Sequence, residues 1–237
     1  MPDVNGHWLT ADLAWATSAY EGGRVLVFDL EKRRAIDVSQ ADTDEDIAVV
    51  TDLDNAFVEP SGSILLSCGN RLARLDPKTG QLAYVDRSAT LPEAWTDCDA
   101  ALINPKNGIL HFFRKDRYFY YDLKKMKPVA IERIGIDGWR GIVPTPRISA
   151  AVVDADGFGH FFFTDGRFSR YNFDIGYVDR TGRIGEDGWP GVEPKGIAAA
   201  WREPSGHIIL SNGKTYQRYS MIEERVVSEG AFKELVR

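Results

Sequence analysis

The chain has 237 residues, 43% hydrophobic and 27% charged, with a formal charge of −6. That is long and apolar enough to bury a core, and its acidic balance excludes the basic surface of a general nucleic-acid binder. No apolar run approaches the roughly 18 residues of a membrane span, so neither nucleic acid nor membrane is an expected partner.

The opening MPDVNGHWLTADLAW has no basic n-region and no apolar h-region, so it does not read as a secretory leader. The cytoplasm is the expected compartment, or the exterior if a leader has been removed. Asp12-Leu-Ala-Trp-Ala follows. The stretch from Ser18 to Asp29 then places Gly22-Gly23 between two β-rich pieces, a hairpin signal. The same order returns from Asp54, with a turn at Cys68-Gly-Asn and another at Asp76-Pro-Lys-Thr-Gly80. Units then open at Asp99-Ala-Ala, Ser149-Ala-Ala and Ala198-Ala-Ala, so openings fall at 12, 54, 99, 149 and 198. The closing pieces Arg133-Ile-Gly-Ile-Asp-Gly-Trp-Arg-Gly and Arg183-Ile-Gly-Glu-Asp-Gly-Trp-Pro-Gly nearly superimpose at an offset of 50 residues.

Self-similarity at this period means a repeat architecture. Each unit has room for four short strands, and the turns are too dense for helical repeats. The expected fold is all-β: one β-propeller domain over residues 1–237, with repeats at about 10–51, 52–96, 97–146, 147–195 and 196–237. Five four-stranded blades are favoured. One basic residue follows a hairpin turn in every unit: Arg24, Arg71, Arg117, Arg167 and Lys214. Small residues in the opening strands (Ala14, Ala56, Ala101, Ala151, Ala200) suit strands converging on an axis. Phe112, Phe161, Tyr121 and Tyr171 suit the wedges between blades, and Trp139 and Trp189 suit the connection into the next blade.

Asp99-Ala-Ala-Leu, the aromatic hairpin Leu110 to Asp122 and Gly138-Trp-Arg-Gly141 together resemble a hemopexin repeat, and Gly188-Trp-Pro-Gly191 matches that repeat's closing element outright. The family usually has four repeats, which makes four blades preceded by an arm the alternative here. Animal members join first and last blades by a disulfide, and Cys68 and Cys98 are not placed for one. The resemblance implies a hard cation such as Ca2+ in the central tunnel, held by backbone carbonyls at Asp12, Asp54, Asp99, Ser149 and Ala198. Oxygen donors suit such a hard cation. The plainer role for these acids is to cap a strand start. Haem is not expected, because animal hemopexin builds its haem site from two domains and a linker.

Arg24, Arg71, Arg117, Arg167 and Lys214 form the candidate ligand-binding ring. Turns between second and third strands should share a face with the strand-one entrance, where guanidiniums could grip a small or anionic ligand. The alternative is solvated strand ends that discourage edge pairing. His111 and His160 both precede Phe-Phe but fall one position apart when counted back from Arg117 and Arg167, so opposite faces are expected. No pair among His7, His111, His160 and His207 has zinc spacing. No nucleophile elbow, zinc-protease or phosphate-loop motif is present, and the pair Asp97/Asp99 is a weak acid–base signal. The favoured function is a non-enzymatic ligand-binding propeller; the alternative is a lyase- or cyclase-type enzyme using polar groups at the same mouth.

Overall fold

The computed structural model describes residues 98–231 with their side chains, except Leu123, Met126, Pro204 and Gly213, and the backbone of seven strands ahead of them. No helix occurs among these residues, and hence none long and apolar enough to cross a membrane. The first three strands, β1 (Trp15–Tyr20), β2 (Arg24–Asp29) and β3 (Arg34–Asp37), make a three-stranded sheet. Then β4 (Leu53–Val58), β5 (Ile64–Cys68), β6 (Arg71–Leu75) and β7 (Leu82–Tyr84) make a four-stranded one. Three more four-stranded sheets follow. The first comprises β8 (Ala100–Ile103), β9 (Ile109–Arg114), β10 (Arg117–Asp122) and β11 (Lys127–Arg133). The next comprises β12 (Ile148–Val153), β13 (Gly159–Phe163), β14 (Arg167–Asn172) and β15 (Tyr177–Arg183). The last comprises β16 (Ala199–Arg202), β17 (Ile208–Ser211), β18 (Thr215–Ser220) and β19 (Arg225–Ala231).

Every sheet is an antiparallel meander in chain order, because short turns can only return the chain beside the strand just completed. The opening strands β8, β12 and β16 lie side by side, and β1 lies against β4. This is a propeller-type arrangement, with sheets packed face to face along their inner strands. Alternation sends successive side chains to opposite faces, which explains the paired alanines. Ala100 and Ala151 enter the core between the third and fourth sheets, while Ala150 and Ala200 enter the core between the fourth and fifth. Small residues are needed where opening strands approach. Phe113, Phe161 and Phe163 fill the wider part of the first core, and Phe162 and Phe168 that of the second.

The closing pieces have one geometry. Ile134 bridges Gly138 and Ile184 bridges Gly188; Gly135 and Gly185 donate backbone hydrogen bonds to Gly138 and Gly188, both at 2.7 Å. Asp137 and Asp187 fold back to accept the Arg133 and Arg183 backbone N–H groups. That turn carries Trp139 and Trp189 at φ 53° and 59°, a left-handed conformation that a large residue adopts only when its surroundings demand it. The demand comes from the next sheet. Trp139 packs on Phe161 and Tyr171 at 5.3 and 4.8 Å between ring centroids, and Trp189 on Tyr219 at 4.7 Å.

The strand ladders correct two sequence readings. Lys214 is not in register with the basic residues. Arg117 pairs with Arg133 and Arg167 with Arg183, but in the last sheet Thr215 holds that place, opposite Ala231. Lys214 lies one residue ahead of β18, whereas Arg117 and Arg167 begin their strands. The histidines slip through turn length: two residues separate Arg114 from Arg117, and three separate Phe163 from Arg167. His111 pairs with Tyr120 and His160 with Arg170, which are equivalent positions. The two rings therefore share a face, and each meets its own sheet's tryptophan edge-on. Arg24 begins β2, between β1 and β3 in its sheet. Asp12 lies outside the described residues.

Candidate functional site at the turn end of the last sheet

Asp54, Asp99, Ser149 and Ala198 do share one ladder position. Each directly precedes the residue paired with the end of the second strand: Asn55 with Ser67, Ala100 with Phe113, Ala150 with Phe162, Ala199 with Ser211. The Asp99 carboxylate is engaged. It accepts the Lys115 backbone N–H at 2.7 Å and pairs with Arg147 at 3.4 Å, so it ties the β9–β10 turn and the entry to the next sheet to its own strand start. That bond also places the second hairpin turn at the same end as the strand-one entrance. Ser149 donates to the Phe162 carbonyl, and Ala198 offers only backbone. No cluster of three or more metal-ligating side chains occurs among the described residues.

The basic positions diverge as well. Arg167 is a brace: Nε meets Asp165 at 2.8 Å, one terminal nitrogen donates to the Thr145 carbonyl at 2.8 Å, and the guanidinium lies over Phe163. Its hydrogen-bonding capacity is directed into the connection between sheets. Arg117 and Lys214 are exposed. Arg24 and Arg71 begin β2 and β6, and their side chains lie outside the described residues.

The turn end holds a cleft of about 330 Å³ in the last sheet, within the size range of small-molecule sites. Its origin is a substitution pattern. In the third sheet Phe119 and Phe112 stack with centroids 5.8 Å apart; the equivalent ladder pair in the last sheet is Gln217 and Leu210. Two large rings give way to an amide and a smaller aliphatic group, and space opens above Ile197 and Leu210, which form the apolar lining. Gln217 sets the shape of the wall. Its Oε1 accepts the Glu193 backbone N–H at 2.8 Å; its Nε2 donates to the Gly191 carbonyl at 3.2 Å and to Glu229 at 3.1 Å. The connection 191–195 is thereby fixed to β18, with Glu229 held alongside.

Apart from buried Ser211, which donates to the Thr215 carbonyl, the remaining polar lining reaches solvent. Glu193, Lys195, Asn212 and Thr215 are exposed and Tyr216 half-buried. Asn212 Oδ1 accepts the backbone N–H groups of Lys214 and Thr215, so its amide NH2 remains to donate outward. Arg218 lies over the Tyr216 ring with its guanidinium carbon 5.9 Å from the centroid. The cleft offers donors, acceptors and both signs of charge, but no histidine or cysteine. The sequence reading reached this end of the molecule but missed Gln217, Tyr216, Glu193 and Lys195. The available signal was Gln217 itself, a polar residue where the third unit has Phe119.

No family model matches the chain, and no curated protein does. Among solved structures it resembles a plant lectin with two metal binding sites from Cicer arietinum, at 16% identity over 77% of this chain and 93% of that chain, TM-score 0.57. It also resembles a streptogramin B lyase, at 14% identity over 98% of this chain and 70% of that one, TM-score 0.47. A hemopexin fold protein from cow pea aligns at 14% identity over 79% of this chain and 96% of that one, TM-score 0.46. The alignment with the lectin is the one that bears on fold; at these identities none of the three assigns a ligand or an activity.

Proposed function

We propose that the chain is a hemopexin-like ligand-binding propeller, its five sheets closing as blades around a tunnel, and that it holds a small polar ligand at the turn-end mouth. The cleft of the last sheet carries the reading: about 330 Å³, an apolar floor, a wall fixed by three Gln217 hydrogen bonds, and an open polar rim. A fixed wall lowers the ordering cost of binding. An open rim without a nucleophile–base pair favours a binder over the lyase- or cyclase-type alternative. Arg117 contributes at most long-range attraction, which salt screens.

A hard cation such as Ca2+ in the tunnel belongs to the same proposal. Its ligands would be the backbone carbonyls at the shared ladder position of Asp54, Asp99, Ser149 and Ala198, since the Asp99 carboxylate is committed elsewhere. Melting with and without chelator tests it: a lower melting temperature in chelator is expected, and an unchanged one with an empty tunnel refutes it.

For the cleft, a thermal-shift screen of small polar compounds should be run on the wild type and on Gln217→Leu. A true ligand present at about 100 times its dissociation constant stabilises the wild type by roughly 2.7 kcal/mol. That stabilisation should largely vanish in Gln217→Leu, which loses the wall but keeps the fold. A stabilisation that persists undiminished in the variant places the site elsewhere.

A further inference from the structure

The cleft presents two opposite charges that are not spent on each other. Glu193 and Lys195 flank Pro194 in the connection entering the last sheet, and both are exposed and line the cleft. Neither side chain enters an ion pair or hydrogen bond among the described residues, although two positions apart is close enough to compensate. The Glu193 backbone is pinned by Gln217, so the segment that carries the two charges is held in place. Across the cleft, Glu229 gives one carboxylate oxygen to Gln217 and retains the other. The floor between them is Ile197 and Leu210, both buried.

Two carboxylates against one ammonium make the rim net negative, which works against an anion. A neutral ligand would leave the charges without counterparts. We infer that the ligand is a zwitterion: a free α-amino acid with a small apolar side chain. Lys195 would take its carboxylate, Glu193 and Glu229 its ammonium, and Ile197 and Leu210 its side chain. Charged hydrogen bonds are the stronger kind, and both charges of the ligand would be matched by groups already in position. This inference rests on the cleft's being the binding site.

The test uses L-leucine, L-leucinamide, which lacks the carboxylate, and N-acetyl-L-leucine, which lacks the ammonium. Each is titrated into the full chain while the backbone amide signals of Asn212, Thr215, Gln217 and Glu229 are followed by NMR. Glucose serves as an uncharged polar comparison. L-Leucine should shift these signals saturably, and both blocked analogues should bind at least about tenfold more weakly, the loss of one charged hydrogen bond. Lys195→Met should bring leucine and leucinamide to similar affinity without changing the melting temperature, since Lys195 is solvent-exposed. Equal binding of the three leucine compounds, or shifts by glucose alone, overturns the zwitterion while leaving the cleft as the site. Signals unmoved by all four compounds overturn the zwitterion, and if the small-molecule screen also finds no Gln217-dependent ligand, the cleft reading fails with it.

Discussion

His111 and His160 occupy one ladder position and have different partners. His160 Nε2 lies 2.7 Å from Asp154 Oδ2, with both side chains almost wholly buried. His111 is boxed by Trp139, Tyr118 and Tyr120, and neither of its ring nitrogens has a partner among the described residues. Burial lowers the His111 pKa from 6.5 to about 3. The unfolded chain therefore takes up a proton near pH 6.5 that the folded chain refuses until about 3. Stability should fall on acidification through that window, by as much as about 1.4 kcal/mol per pH unit. Replacing His111 by Leu should flatten that part of a stability-versus-pH curve measured by urea denaturation; an unchanged slope would show that the ring is not buried neutral. Asp154 works in the same direction at lower pH. Burial works against its ionisation, but the His160 hydrogen bond and charge and two backbone amides outweigh it and hold its carboxyl below the usual carboxylate range. Its contribution is present above pH about 4 and is lost as pH falls through the lowered value. Asp154→Ala should cost about 3 kcal/mol, the usual consequence of stranding one member of a buried pair, as read from the urea midpoint.

At the scale of the element, hairpin turns decide which residues share a level. A side chain added at Gly188 would meet the Phe168 ring at 2.6 Å, so the closing turn fits only glycine against its own sheet. Gly188→Ala should lose roughly 1–3 kcal/mol from overpacking, seen as a lower melting temperature, and a neutral result would mean the turn can shift. Arg167 and Arg117 provide a matched contrast. Arg167 links its turn to Thr145, while Arg117 stands exposed at the same ladder position. Arg167→Ala should lower stability by about 1 kcal/mol, reduced from a buried bond by solvent screening. Arg117→Ala should change it by less than about 0.5 kcal/mol. Equal effects would contradict the assignment of Arg167 as a brace. Periodicity made the sheets legible, because alternating aromatics and paired alanines report strands, and the Trp-containing closures report the step between units. The ladder position of Asp54, Asp99, Ser149 and Ala198 was legible too, since no turn intervenes between each opening residue and its strand. The histidine faces were not, because they lie across turns of two or three residues, and turn length leaves no periodic trace. Nor was Lys214, whose charge matched the basic positions although it lies one residue ahead of its strand. The cleft was illegible for a different reason: it comes from the joint loss of bulk at Leu210 and Gln217, residues adjacent in the ladder but not in the chain.

Over the whole molecule, the repeats are similar in backbone and unequal in surface. The third and fourth sheets spend their bulk on a continuous aromatic core, with Phe113, Trp139 and Phe161 in mutual edge contact. The last sheet has the smaller Leu210 and Gln217 at a pair of positions where the third has rings, and it opens a polar cleft at the end where the turns gather. A repeat scaffold that keeps most of its interfaces filled can leave one open without losing its fold, because each sheet packs mainly on its neighbours. The central claim is therefore local: the proposed ligand enters at the turn end of the last sheet. The most direct measurement is a backbone-amide NMR map during titration with whichever compound stabilises the chain in the small-molecule screen. Shifts should concentrate at Glu193, Asn212, Thr215, Gln217 and Glu229, and leave the opposite-end turns at Asn107, Gly157 and Ser205 unmoved. Shifts concentrated at those opposite turns, or spread evenly over equivalent positions of every sheet, would contradict it.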